Sequence, residues 1–420
     1  MNMNENTRVS ELIKKLGADL TPYIIELRRH FHRHPELSAH EVETSKRICA
    51  ELDQMGIPYK RVTGIRPKDE RDEREEFIGT GIIATIAGTA AGAYSSESGP
   101  YRRIALRTDM DALPVTEKTG LDFTSENDGV MHACGHDCHI AMMLGAVRML
   151  NELKDQLKGE VRVIFQPAEE ISIGARDMIA AGALDGVDAI YGQHIWSELE
   201  DGMLSCEPGR RMANTDWFRI DIEGVSAHGS MPHKGVDAIV IACEIVDAIQ
   251  VLVSRKISPF EPAVVTVGEI HGGTARNIMA GRAYLTGTVR TWDSKTRALF
   301  QDRLERISGK TAHAFGAEIK FSYTAGNPGV VNDEICSEQA RQAIKAIVGE
   351  EAIGAYEGTL AGEDFAEYIQ HIPGVFVFIG TNNPELDCVH PQHSCYYRID
   401  EEMLPKGAMV AAQWAAQMLS

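Results

Sequence analysis

The sequence predicts an α/β protein: a mostly parallel sheet flanked by helices, interrupted by a smaller α+β domain. Three observations predict it. Apolar β-forming runs alternate with helical periodicity through residues 104–194, the pattern of parallel strands joined by helical crossovers. Between about 214 and 323 the texture changes to alternating strands and two long helices. After Asn327 the first pattern resumes, so one domain is broken open by another.

The elements follow in order. Residues 8–34 carry Val9, Leu12, Ile13, Leu16, Ile24, Ile25 and Leu27 at helical spacing, and Pro35 ends the run. A second helix spans about 39–55 and stops at Gly56 and Pro58. RPKDERDEREE (66–76) reads as a solvated charged loop. In GTGIIATIAGT (79–89), Gly79, Gly81 and Ala84 match a dinucleotide-loop spacing, but no helix follows and the β-formers Ile82, Ile83, Thr85 and Ile86 predict a strand. AAGAYSSESGP (90–100) is a loop. Strands at 104–109, 161–167 and 188–194 then alternate with helices at 141–153 and 175–184. The next stretch gives strands at 217–225, 263–273, 283–291 and 318–324, with helices near 236–253 and 294–315. That β-α-β-β-α-β order is ferredoxin-like. A helix near 334–348, a strand at 375–380 and a helix near 402–419 complete the first domain. The expected bounds are 1–212 and 325–420 for the catalytic domain, with a lid or dimerisation domain at 213–324.

Composition narrows the function. The 420 residues carry 42 basic and 61 acidic side chains, a formal charge of −19, with no basic run. Nucleic acid and anionic membranes are thus excluded as expected partners. No export signal or run of 18 apolar residues is visible, and a cytoplasmic location is expected. The eight cysteines are scattered, which predicts reduced thiols.

Polar residues fall at the strand ends, where open α/β sheets bind ligands. Asp109 and Asp111 follow one strand, Glu169 and Glu170 the next, His194 the third. MHACGHDCH (131–139) packs Cys134, His136, Cys138 and His139 into one loop ahead of a helix. Thiolate and imidazole suit zinc or a similar divalent ion. The C-x-H spacing lacks a second pair, which favours an open catalytic site completed by carboxylates over a closed structural one. Glu169 and Glu170 would repel unless a cation lay between them or one were protonated. One glutamate on a metal and one beside the activated water resolves that conflict. The rival reading makes Cys134 a nucleophile with His136 or His139 as its base. The two exclude each other, and a chelator separates them.

These residues lie in longer motifs. RRHFHRHPELSAHEVETS (28–45), LRTDMDALPV (106–115), GVMHACGHDCHIAMMLGA (129–146), VIFQPAEE (163–170), HGSMPHKGVDAI (228–239), GGTARNIMAG (272–281), GTVRTWD (287–293), GEDFAEY (362–368) and HSCYYRIDEEML (393–404) occur in that order. On them the chain resembles the M20 metallopeptidase superfamily in its amidohydrolase branch, which includes hippurate and indole-acetyl-amino-acid hydrolases. The resemblance implies two divalent metal ions per chain, Mn2+ or Zn2+ with Co2+ or Ni2+ also fitting. They would be held by Cys134, His136, Glu170, His194 and His393, with Cys134 bridging. It makes Glu169 the general base and Asp109 and Asp111 orienting acids, and it assigns His228 to the oxyanion and Asn277 and Arg290 to a substrate carboxylate. It further implies a homodimer or larger oligomer in which His228 reaches the neighbouring subunit's site.

The implied reaction is hydrolysis of the amide bond of an N-acyl or N-aroyl amino acid. Deamination of an aromatic amine at the same centre is the alternative, and a metal-binding but non-catalytic protein is the reading from another class. Departures fall at NIMAG (277–281) and HSCYYR (393–398). His390 competes with His393 as a ligand, but Ser394 follows His393 as the motif requires.

Overall fold

The computed structural model describes residues 3–69, 71–90 and 103–419. The expected loop at 90–100 lies, apart from Ala90, outside the described residues. The chain divides into two compact units, one of residues 1–209, 331–357 and 364–420, the other of 210–330 and 358–363. The return of 358–363 to the second unit has no signal in the sequence.

The first unit is built on a seven-stranded sheet. Its strands are β1 (Tyr59–Arg61), β2 (Ile82–Ala87), β3 (Arg103–Asp109), β4 (Glu160–Gln166), β5 (Ala189–Glu200), β6 (Leu204–Ser205) and the strand Gly374–Asn382. β4, β3, β5 and Gly374–Asn382 lie side by side in parallel. β2 pairs antiparallel with β4, and β6 with Gly374–Asn382. The glycine-rich 79–89 stretch thus supplies the strand β2, as its β-branched residues require.

After helices α1 (Met3–Arg33) and α2 (Val42–Gln54) comes α3 (His136–Glu152), against which α1 and the helix Met403–Met418 pack. α3 is buried on almost every face, Met142, Leu144, Val147 and Leu150 included. A helix enclosed in this way needs no polar stripe, and the sequence shows none. Its start differs from expectation. It begins at His136, so half of the MHACGHDCH loop is its first turn. Gly135 supplies the left-handed residue before it, at φ 95°.

The charged 66–76 stretch is not a free loop. Arg66 is buried and pairs with Asp177 at 2.6 Å, Asp69 at 3.2 Å and Asp72 at 3.3 Å. Arg74 meets both Asp72 and Asp177, and Arg71 meets Glu367 at 2.8 Å. Opposite charges that look solvated in one dimension clasp this segment to the helices Gly174–Ala180 and Phe365–Tyr368.

The second unit carries an antiparallel sheet in the order 263–272, 282–291, 214–223, 318–325, with helices Ala238–Lys256 and Phe300–Ala314. This is the ferredoxin-like arrangement. The expected helix near 294–315 is split at Leu299, whose backbone remains helical. Ile241, Ile245, Ile249 and Leu252 of the first helix are buried, while Val240, Cys243 and Val251 on its other side are exposed. None of the eight cysteines forms a disulfide. No helix among the described residues is long and apolar enough to cross a membrane.

Candidate active site

The carboxyl ends of β3 and β4, the first turn of α3 and the middle of β5 converge. Cys134, His136 and His194 bring ligand atoms within 4.8 Å of one another, and so do Cys134, Glu170 and His393. Cys134 belongs to both triads. Among the described residues a divalent pair with a shared thiolate fits this donor set.

The position of His194 corrects the sequence reading. It lies midway along β5, not beyond its end. The β-formers Ile195 and Trp196 prolong the strand, and register with Gly374–Asn382 holds it out to Glu200. The ring still reaches the cluster. Its Nδ1 donates to Ile195 O at 2.6 Å, leaving the Nε2 lone pair 3.5 Å from Cys134 Sγ. Fixing one ring nitrogen to present the other is the usual preparation of a histidine ligand.

His139 shows the opposite case. Ile195 N–H donates to its Nε2 at 3.0 Å, so its Nδ1 carries the proton given to Asp109 at 2.6 Å. Both nitrogens are engaged, and His139 is a prop, not a ligand. His393 holds a left-handed backbone at φ 68°, with its N–H on Ala133 O, and its Nε2 lies 3.5 Å from Glu170 Oε1. His390 instead faces the Tyr396 ring.

Several buried atoms lack partners. Neither ring nitrogen of His136 nor Glu170 Oε1 has a hydrogen bond. Stranded buried polar atoms cost about 1–3 kcal/mol each. Ligation would satisfy His136 Nε2 and Glu170 Oε1, and it would leave the Nδ1 proton facing Asp111 Oδ1 at 3.3 Å. The charge balance points the same way. Burial and then the carboxylates of Glu170, Glu169 and Asp109 push the Cys134 thiol well up. Burial alone would lower His136, but Asp109, Asp111 and Glu170 outweigh it and raise the ring to about 10. The site favours positive charge and opposes a free thiolate, so Cys134 is poorly placed as an unaided nucleophile.

The two glutamates sit on a tight turn. Ala168, just before them, has φ 53°. Asp111 Oδ1 accepts the Glu169 N–H and Oδ2 the Glu170 N–H, each at 3.1 Å. Asp111 also takes the Ser38 hydroxyl at 2.6 Å and lies 3.3 Å from His136 Nδ1. Asp364 lies in the GEDFAEY motif, to which the sequence assigns no role. Its N–H donates to Glu169 Oε1 at 3.3 Å. Its carboxylate binds Arg107, which is fully buried and pairs with Asp109 at 2.8 Å. Gln166 joins the same network. An arginine inside a strand gives no sequence signal of such a role.

The remaining candidates lie in the second unit. Short strands Ala227–His228 and Ile278–Met279 pair, with His228 opposite Ile278, and Gly229 N–H donates to Asn277 O at 2.9 Å. His228 and Asn277 are therefore neighbours and both exposed. Ser230 N–H donates to His228 Nδ1 at 3.2 Å, which leaves the proton on the outward Nε2. Arg290 stands at the other end of the ten-residue strand Arg282–Thr291, roughly 25 Å along at strand rise.

The profile of peptidase family M20/M25/M40 matches residues 105–417. The chain belongs to this family. Among its M20 relatives, the N-acetyl-L-cysteine deacetylase of Bacillus subtilis (strain 168) is 39% identical over 96% of this chain and 89% of that protein. Thermostable carboxypeptidase 1 of Saccharolobus solfataricus is 37% identical over 97% of this chain and 99% of that protein. The solved structure of the Bacillus subtilis YXEP protein, described as a dinuclear metal binding peptidase from the M20 family, is similar at a TM-score of 0.78. It is 34% identical, covering 96% of this chain and 99% of that one.

Proposed function

We propose that this M20-family hydrolase cleaves the amide C–N bond of an N-acyl or N-aroyl amino acid. Its two-metal centre would be built from Cys134, His136, Glu170, His194 and His393. The observation that carries the reading is the pair of ligand triads sharing Cys134 beside the buried Glu169. The chemistry a divalent pair supplies in such a site is Lewis acidity, which polarises a carbonyl and acidifies a water. Zn2+ or Mn2+ is the expected occupant, and Co2+ or Ni2+ would also fit the ligands.

Glu169 takes the proton of the attacking water and delivers it to the leaving nitrogen. The Asp364 N–H at 3.3 Å restrains one oxygen of its carboxylate. His228 offers its Nε2–H to the oxygen that gains charge. Arg290 forks onto the substrate carboxylate, and Asn277, beside His228, reaches it as a second polar contact from the neighbouring subunit. One relative is named an N-acetyl-L-cysteine deacetylase and the other a carboxypeptidase, which supports a substrate of this class. We assign the working form to a homodimer in the cytoplasm, with His228 acting in the neighbouring subunit's site.

The test is a screen of N-acyl and N-aroyl amino acids after reconstitution with each metal. Hydrolysis should require metal, and Glu169→Gln should lower kcat by about 10²–10⁴ with metal content unchanged. Activity that survives exhaustive chelation, or release of ammonia in place of an amino acid, overturns the reading.

A further inference from the structure

Glu41 lies far from the reacting groups in sequence, and its carboxylate is completely buried. The charge acting on it most strongly is a like one, that of Asp111. A buried carboxylate beside another is unfavourable unless its oxygens are needed. Those oxygens make three hydrogen bonds. Oε1 accepts the N–H of Ala39 at 2.8 Å and of Ala168 at 2.9 Å, and Oε2 accepts the Thr80 hydroxyl at 2.8 Å.

The two amides share a property. Ala39 and Ala168 both have left-handed backbone, at φ 67° and 53°, a conformation that L-residues resist and glycine does not. One oxygen therefore gathers two strained turns. Ala168 directly precedes Glu169 and Glu170, whose own N–H groups end on Asp111. Three consecutive amides are thus held by two buried carboxylates.

We propose that Glu41 is a positioning residue. It fixes the 168–170 turn through Ala168 and so sets the aim of Glu169 and Glu170. The inference rests on the reading of those two as base and ligand. What it requires is an acceptor at the reach of a glutamate, not a charge. Glutamine can present its oxygen to both amides and its NH2 to the Thr80 oxygen. Aspartate keeps the charge but falls one methylene short.

The experiment compares Glu41→Gln, Glu41→Asp and Glu41→Ala as holoenzymes. The Asp and Ala variants should lose about tenfold to hundredfold in kcat, with KM changed less than about threefold. Their metal-free forms should bind Zn2+ about tenfold more weakly or worse. Amide exchange in the 168–170 segment should quicken while the rest of the first unit keeps its protection. Glu41→Gln should recover activity to within about threefold of wild type. Wild-type kcat and exchange in Glu41→Asp, or Glu41→Gln as impaired as Glu41→Ala, overturns the proposal. If Glu41→Ala does not fold, the Gln and Asp variants decide alone. Glu169→Gln runs in parallel: full turnover there sinks the base assignment, while zinc affinity and exchange still judge Glu41.

Discussion

Asp177→Ala should open the ionic clasp over residues 66–76. Asp177 is buried and receives Arg66 at 2.6 Å, Arg74 at 3.0 Å and the Ile78 N–H at 3.0 Å. Arg66 is the decisive partner, because its side chain is only 1% exposed. Breaking a buried pair by removing one member costs about 3–5 kcal/mol, since the other charge stays behind. Here Asp69 and Asp72 remain 3.2 and 3.3 Å from Arg66, so the lower end applies. The Ile78 N–H also loses its acceptor, but water entering a loosened segment can replace it. A loss of about 3–4 kcal/mol is expected, a large share of a typical 5–15 kcal/mol. Urea unfolding of the holoenzyme measures it, and trypsin cleavage after Arg71 and Arg74 reports the release directly. Asp177→Asn keeps an acceptor for Ile78 and should cost less. An Asp177→Ala protein within about 1 kcal/mol of wild type, and cut no faster, would refute the buried clasp.

In Asp111→Asn an NH2 must face either the Glu169 or the Glu170 N–H, so calorimetry should find metal affinity down about 10–100-fold, and an unchanged Kd contradicts the orienting role. Arg290→Ala should raise KM for acyl amino acids by about 10–100-fold, the worth of a charged hydrogen bond, yet leave carboxyl-amidated analogues unaffected. Equal losses for both would remove Arg290 from carboxylate binding. Burial works to raise Asp72, but hydrogen bonds from Arg74 outweigh it and hold the acid below its ordinary 3.8. Its folded pKa is depressed, so its stabilisation is complete above about pH 4 and fades as pH falls further. The melting gap between wild type and Asp72→Asn should shrink over that acid range, and a constant gap would argue against the linkage. Mixing His228→Ala with Glu169→Gln subunits should restore about a quarter of wild-type activity if the histidine acts across the dimer. No recovery in verified mixed dimers would return His228 to its own subunit.

The alternation of strand and helix, the inserted β-α-β-β-α-β unit and the strand character of 79–89 were legible in the chain. Each depends on side-chain spacing over a few residues, and that spacing reports which face can be buried. The chemical types gathered near the strand ends were legible for the same local reason. Tertiary structure alone separated His139, with both nitrogens engaged, from His136, whose Nε2 is free to ligate. It also put His194 inside its strand, drew Asp364 to Glu169, and turned a charged stretch into a clasp on Asp177. Glu41 and Arg107 gained partners 127 and 257 residues away. A hydrogen bond or ion pair is decided by distance and direction in space, and once the chain is folded those no longer follow separation along it.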